Sequence, residues 1–265
     1  MTQPRAPQRL WTTEVLRSVR VTPRMLRITV GGPALADFVS NGTDQHVILY
    51  FYAPDAQLPE PLTLESARRA FSVAWPTMRT YTLRRVDSDN REIDIDFVLH
   101  DGGFASSWAE RAVPGDRLIF AGPSRAYALA SDVDCHFLVG DETALPAITA
   151  LLEELPAGAY AKVFIEVADA AEEQKLDTAA NIELTWLHRD GIPAGQSPLL
   201  IDAVRKAQFP AGDVHAWVGA EASTVRDLRR YFREERGLRR GQASVTVYWR
   251  FGESEDAMNS ETAAR

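Results

Sequence analysis

Apolar and polar residues alternate with a period of two through much of the first half of the chain. From Glu92 to Leu99 the alternation is strict: Ile93, Ile95, Phe97 and Leu99 share one face, and Glu92, Asp94, Asp96 and Val98 the other. That is the pattern of a half-buried strand. Two strand-like runs between Thr13 and Val30 are broken at Thr22-Pro23, and His46 to Tyr52 is apolar and aromatic. Arg117 to Ala121 follows the turn Pro114-Gly115-Asp116. Short strands punctuated by turn residues predict a small antiparallel β-barrel, interrupted by a helix at about Ser106 to Arg111. The second half changes rhythm. Strand-like runs at His136 to Gly140, Lys162 to Val167, Ile182 to Leu187, Val214 to Val218 and Ser244 to Trp249 alternate with helical periods. The helical periods cover Thr143 to Leu155, Pro198 to Gln208 and Thr224 to Arg236. This alternation predicts an α/β domain with a mostly parallel sheet and helices on both faces. The rhythm switches near Ala130-Ser131. The expected organisation is therefore a β domain over 1–130, an α/β domain over 131–252, and a polar, aperiodic tail over 253–265 expected to be disordered.

Charge sharpens that division. The 265 residues carry a formal net charge of -8. Residues 1–130 hold 15 Arg, no Lys and 14 Asp plus Glu, while residues 131–265 hold 14 basic and 23 acidic residues. An acidic second half argues against a nucleic-acid surface, which needs a continuous basic stripe. The arginine-only first half leaves room for recognition of a local anion. The single cysteine, Cys135, excludes an internal disulfide framework and reads as a small core residue. No CxxC or HExxH spacing suggests zinc, and the five histidines show no metal-ligand spacing. No apolar run approaches the roughly 18 residues of a membrane span, and Met1 to Trp11 lacks the apolar core of a signal peptide. A cytoplasmic location without membrane insertion is expected. The arginines of Thr224 to Arg236 read as a solvated face, diluted by Asp227, Glu234 and Glu235.

Three segments could carry chemistry. In Arg79-Thr80-Tyr81-Thr82, a strand would project Arg79 and Tyr81 to one face and Thr82 to the other. A guanidinium beside an aromatic ring suits a ligand with a phosphate and a flat ring; an ordinary exposed strand gives the same composition. In His100 to Trp108 a strand ends, Gly102 and Gly103 allow a tight turn, and Ser106 and Ser107 stand where a helix would be capped. Backbone N–H groups at such a start bind phosphate. In Val139 to Ile148 a buried strand meets a helix, with Asp141 or Thr143 as its expected cap. It lacks GxGxxG, yet it stands at the carboxyl end of the first parallel strand, where α/β sheets bind ligands.

Together these segments resemble the siderophore-interacting protein family, a branch of the ferredoxin-reductase superfamily. Further matching stretches are Ala121-Gly122-Pro123, Gly140 to Ile148, Trp186 to Arg189, Gly219 to Ala222 and Tyr248-Trp249-Arg250. The resemblance implies a split β-barrel followed by an α/β domain, holding FAD and taking electrons from NADH or NADPH. The electrons would pass to a ferric siderophore, releasing Fe(II), with no metal ligands of the protein's own. By position, Arg79, Tyr81 and Thr82 would hold the isoalloxazine and pyrophosphate. His100, Gly103, Ser106 and Ser107 would line the rest of the FAD site, and Thr143 would lie near the adenine. Arg189 and the Glu221 loop would lie along the nicotinamide dinucleotide, with Arg189 at a 2′-phosphate and so favouring NADPH. Arg125 and Arg250 would form a basic pocket for an anionic siderophore, served by a monomer. Two departures stand out: Ile48 occupies a position where family members often carry a cation, and Arg125 falls one residue later than the family pattern. A general flavin reductase or oxygenase-partner reductase is the alternative enzyme, disfavoured by the lack of clustered cysteines. A non-catalytic siderophore-binding protein is the alternative outside enzymology.

Overall fold

The computed structural model describes residues 9–40, 42–53, 55–71, 75–124, 127 and 129–253. They separate into two compact units divided between 127 and 128.

The first unit is a seven-stranded antiparallel sheet. Its strands are β1 (Arg9–Thr22), β2 (Met25–Gly31), β3 (His46–Phe51), β4 (Thr77–Thr82), β5 (Arg85–Asp87), β6 (Glu92–Val98) and β7 (Arg117–Gly122), in the order β4-β3-β7-β1-β2-β6-β5. Pro23, which cannot donate to a ladder, sits in the turn joining β1 to β2, where Thr22 pairs with Met25. The two edge strands are consecutive in sequence. The Leu83 N–H donates to the Gln45 carbonyl just before β3, and the Arg84 N–H donates to the Asp94 carbonyl in β6. The segment 77–87 thus bonds to β3 through its first part and to β6 through its second, curving the sheet into a half-barrel. Val47, Leu49, Phe97, Leu118 and Phe120 fill the interior.

The face of β6 opposite that core is not left to water. Asp94 and Asp96 are 4% and 5% exposed. Arg27 forks onto Asp96 at 2.6 and 2.8 Å, while Arg85 Nε and the Thr29 hydroxyl donate to Asp94 at 2.8 and 2.6 Å. Two helices decorate the barrel, α1 (Leu64–Ala70) and α2 (Phe104–Arg111). Periodicity alone shows only the second, because α1 is short and buries little beyond Ala67.

The second unit is a parallel sheet of β8 (Cys135–Asp141), β9 (Tyr160–Val167), β10 (Asn181–His188), β11 (Val214–Glu221) and β12 (Ala243–Trp249), in the order β10-β9-β8-β11-β12. Its helices are α3 (Leu145–Glu154), α4 (Leu199–Lys206) and α5 (Ala222–Arg230). After β10 the chain crosses back to add β11 and β12 on the other side of β8. The strand order therefore reverses between β8 and β11, and the crevice at their carboxyl ends is the expected ligand position. α5 is shorter than its period predicts: it passes into a π turn at Tyr231–Glu235. The wider turn lets two consecutive aromatic residues, Tyr231 and Phe232, both reach the core. The tail expected to be disordered lies outside the described residues from 254 onward.

Candidate functional site

On β4, Arg79 and Tyr81 share a face as the alternation requires, and Thr82 is buried on the other. The Arg79 Nη1 donates to the Met78 carbonyl at 2.7 Å, which lays the guanidinium along its own strand. The Tyr81 ring packs 4.4 Å from Phe97, centroid to centroid. From there an aromatic chain runs to α2: Phe97 meets Trp108, Trp108 meets Phe51, and Phe51 meets Phe104 at the start of that helix. The structure thus links Tyr81 to α2 through shared core rings, across about twenty residues of sequence.

Capping of α2 differs from expectation. The N-cap is Gly103, which offers no side chain, so the first N–H groups of α2 have no side-chain acceptor. Ser106 is buried, and its hydroxyl accepts the His100 N–H at 3.0 Å, fastening the turn. Ser107 is half-buried in the first turn. A Cβ at position 103 would lie 2.6 Å from His100 Nε2, so only glycine lets that ring lie across the helix start. Helix N–H groups without a capping side chain attract phosphate, and β4 of the same unit carries a guanidinium and an aromatic ring on one face. A guanidinium, an aromatic ring and uncapped helix N–H groups in one unit are a residue set that fits a flavin dinucleotide.

In the second unit the expected cap of α3 is also corrected. The N-cap is Ala144, without a side-chain bond. Asp141, at the end of β8, instead gathers four donors. Its Oδ1 accepts the Thr143 N–H at 2.9 Å and the Thr143 hydroxyl at 2.5 Å; its Oδ2 accepts the Glu221 N–H at 3.0 Å and the Trp249 indole N–H at 2.8 Å. Burial pushes this carboxyl above the ordinary carboxylate value, against the pull of those donors. Thr143, expected near an adenine, thus has its hydroxyl engaged by Asp141.

Glu221 ends β11 and caps α5, accepting the Ser223 N–H at 2.5 Å and the Ser223 hydroxyl. Its Oε1 accepts the Phe251 N–H at 3.2 Å. Burial pushes its pKa up, but the bonds from Ser223, Phe251 and Thr224 outweigh that and hold it below the usual range.

Arg189 is neither a strand-end surface residue nor an exposed phosphate ligand. It is 4% exposed; its Nη2 reaches both oxygens of Glu142 at 3.0 Å, and its Nη1 lies 3.7 Å from Glu166. Its Nε and Nη1 make no hydrogen bond, and neither does Glu166 Oε2. A contact with a 2′-phosphate would require this pair to open. Glu142 and Glu166 escape a reading by motif, although an acid inside the apolar run Val163 to Val167 is itself a signal, since a buried charge needs a partner.

Arg250 follows β12 and is exposed, 3.9 Å from Glu253. Arg125 lies outside the described residues. Ile48 is half-buried on the outer face of β3, packed with Tyr50 and Tyr52 against the cluster around Ile119. Among the described residues, no group of three or more His, Cys, Asp or Glu is placed to hold a metal ion.

Residues 14–127 match the model of the siderophore-interacting FAD-binding domain, and residues 133–252 that of the siderophore-interacting protein. The NADPH-dependent ferric-chelate reductase of Escherichia coli is 34% identical over 247 residues, 88% of this chain and 92% of that one. The ferric vibriobactin reductase of Vibrio cholerae is 31% identical over 258 residues, 94% and 92% of the two chains. The crystal structure of a siderophore utilization protein from T. fusca superposes with a TM-score of 0.84 at 40% identity, covering 96% of this chain and 97% of that one.

Proposed function

Because the chain belongs to the siderophore-interacting protein family, we propose that it reduces ferric siderophores and releases Fe(II), with FAD as cofactor and NADPH or NADH as electron donor. The observation that carries this reading is in the barrel unit, where Tyr81, on one face of β4 with Arg79, is linked through Phe97 to Trp108 of α2, a helix whose cap has no side chain. Bound FAD would supply the conversion of a two-electron hydride into one-electron transfers. The chain's own residues bind and orient. Arg79 and the first N–H groups of α2 would hold the pyrophosphate; Tyr81 would border the ring system, with Thr82 behind it on the buried face of the strand; His100, Gly103, Ser106 and Ser107 shape the turn that presents those N–H groups. In the α/β unit, Thr143 and the Glu221 loop flank the carboxyl-end crevice, and Arg189 braces it through Glu142. Arg250 supplies positive charge for an anionic ferric complex.

Reduction is itself the release step. Hydroxamate and catecholate oxygens are hard donors that hold Fe(III) far better than Fe(II), so the protein needs to deliver an electron rather than ligate iron. The reading places the working protein in the cytoplasm, where nicotinamide coenzymes are reduced, and makes the single chain the working unit. In its support, no helix among the described residues is long and apolar enough to cross a membrane.

The test is anaerobic oxidation of NADPH and of NADH by the purified protein with a panel of ferric siderophores and a ferrous-iron trap. A yellow protein that accumulates trapped Fe(II) in step with coenzyme oxidation is expected. A colourless protein that binds a ferric siderophore without turnover would overturn the proposal.

A further inference from the structure

The carboxyl end of the parallel sheet contains a device that the reaction itself does not require. Two buried acids, Asp141 at the end of β8 and Glu221 at the end of β11, are 6% and 5% exposed. Each bonds the chain on one side of Arg250. Asp141 accepts the indole N–H of Trp249 at 2.8 Å, and Glu221 accepts the backbone N–H of Phe251 at 3.2 Å. Asp141 also accepts the Glu221 N–H at 3.0 Å, so the two anchors form one hydrogen-bonded unit.

Backbone geometry points the same way. The register between β11 and β12 slips at this place: Ala220 faces Val247, but Glu221 faces Trp249. Tyr248 is the extra residue of a bulge, a feature that bends a strand and redirects the side chains after it. The segment is then clamped from a third direction. Gly195, with φ of +78°, approaches so closely that a Cβ there would lie 2.9 Å from the Trp249 ring, 3.2 Å from Glu221 Cγ and 3.3 Å from Phe251 Cβ. Beyond Phe251 the Glu253 N–H returns to the Arg250 carbonyl at 3.3 Å, closing a turn. Between the anchors the Arg250 side chain remains about half exposed.

Burying two carboxylates is costly unless they are engaged, and here one donor to each acid comes from a residue flanking the same exposed cation. We propose that Asp141 and Glu221 are positioning residues that fix the backbone of Arg250, so that its guanidinium meets an anionic ferric complex without first paying to order the strand end. Pre-ordering of this kind improves binding without any new contact. The inference rests on the reading of Arg250 as a substrate-binding cation.

Trp249→Phe removes the indole N–H from Asp141, and Phe251→Pro removes the backbone N–H from Glu221; both acids stay in place. Each variant is compared with wild type and with Arg250→Ala by steady-state kinetics, using anionic ferric EDTA and cationic ferrioxamine B as probes. Amide hydrogen exchange over 249–253 reports the ordering independently of turnover. Expected results are faster exchange at the strand end and a rise of about three- to tenfold in KM for ferric EDTA. The kcat and the KM for NADPH stay at wild-type values, and neither substitution has further effect in the Arg250→Ala background. Should Arg250→Ala leave the ferric EDTA KM unchanged, the substrate reading of Arg250 fails and the inference with it. Should Arg250→Ala raise KM while the flanking substitutions either do nothing or add fully to it, the positioning role alone is overturned. Glu221→Gln, isosteric with the native acid, repeats the exchange measurement if Phe251→Pro does not fold.

Discussion

Arg79 and Arg189 carry the same guanidinium into different surroundings. Arg79 is half-buried on a barrel strand, in the unit whose helix α2 starts without a side-chain cap. Truncating it should weaken FAD binding by about 1.5–3 kcal/mol, the worth of a hydrogen bond to a charged group, and leave the apoprotein about as stable as before. Equilibrium titration of Arg79→Ala with FAD measures this, and undiminished affinity would remove Arg79 from the site. Arg189 is braced between Glu142 and Glu166 in the interior. Arg189→Ala should cost about 3–5 kcal/mol of stability, because it strands buried carboxylates without their cation. Burial already pushes the Glu166 carboxyl upward, so in the variant that carboxyl should take up a proton more readily. Urea unfolding at neutral pH checks the loss. If stability is kept and only the efficiency with NADPH over NADH falls, the guanidinium contacts the coenzyme instead.

β8 and β11 run side by side, and their shared register places His136 directly opposite His215 near the strand starts. Burial lowers the pKa of both imidazoles; His136 is lowered further by its neighbour, and the Gly241 backbone and Asp213 only partly restore His215. With depressed native pKa values, the unfolded chain binds protons first as pH falls below about 6.5. The stability tied to the neutral pair is complete above that pH and lost below it, at up to about 1.4 kcal/mol per pH unit for each group. Thermal unfolding from pH 7.5 to 5 should show the decline, and His215→Gln should make it shallower; an identical slope would exclude the pair as its source. These strands were legible in the sequence because an apolar run reads the same in a parallel sheet as on the page. The commitments of the polar residues were not. Ser106 looked like a cap and is a brace for His100. Asp141 looked like a cap of α3 and bonds Glu221 and Trp249, 80 and 108 residues away. Asp94 and Asp96 fell on the face of β6 that pattern leaves polar, and only the pairing of β6 with β2 and β5 supplies the arginines that cover them. Residue type was readable along the chain, whereas partners set by topology were not.

Across the whole molecule, charge sets a problem that the strand end answers. The net charge of -8 is concentrated in residues 131–265, so an anionic ferric complex meets a repulsive field on approach. Arg250 is an exposed cation within that acidic half, and Ile48 supplies no charge on the barrel. The two effects respond differently to salt. The Debye length is about 10 Å at 0.1 M and about 3 Å at 1 M, so salt abolishes the diffuse repulsion first and the close attraction at Arg250 last. In Arg250→Ala only the repulsion remains, and its KM for an anionic ferric complex should fall as salt is added. In the wild type KM should fall less at first, as the repulsion is screened, and then rise at higher salt as the attraction at Arg250 weakens. The two curves should lie furthest apart at low ionic strength and approach one another near 1 M. A cationic complex should behave in the opposite sense, with its lowest KM at low salt and in Arg250→Ala. Because the contact is made equally in the ground and transition states, kcat should follow neither curve. Parallel curves for the two proteins at every salt concentration would mean that Arg250 does not meet the substrate.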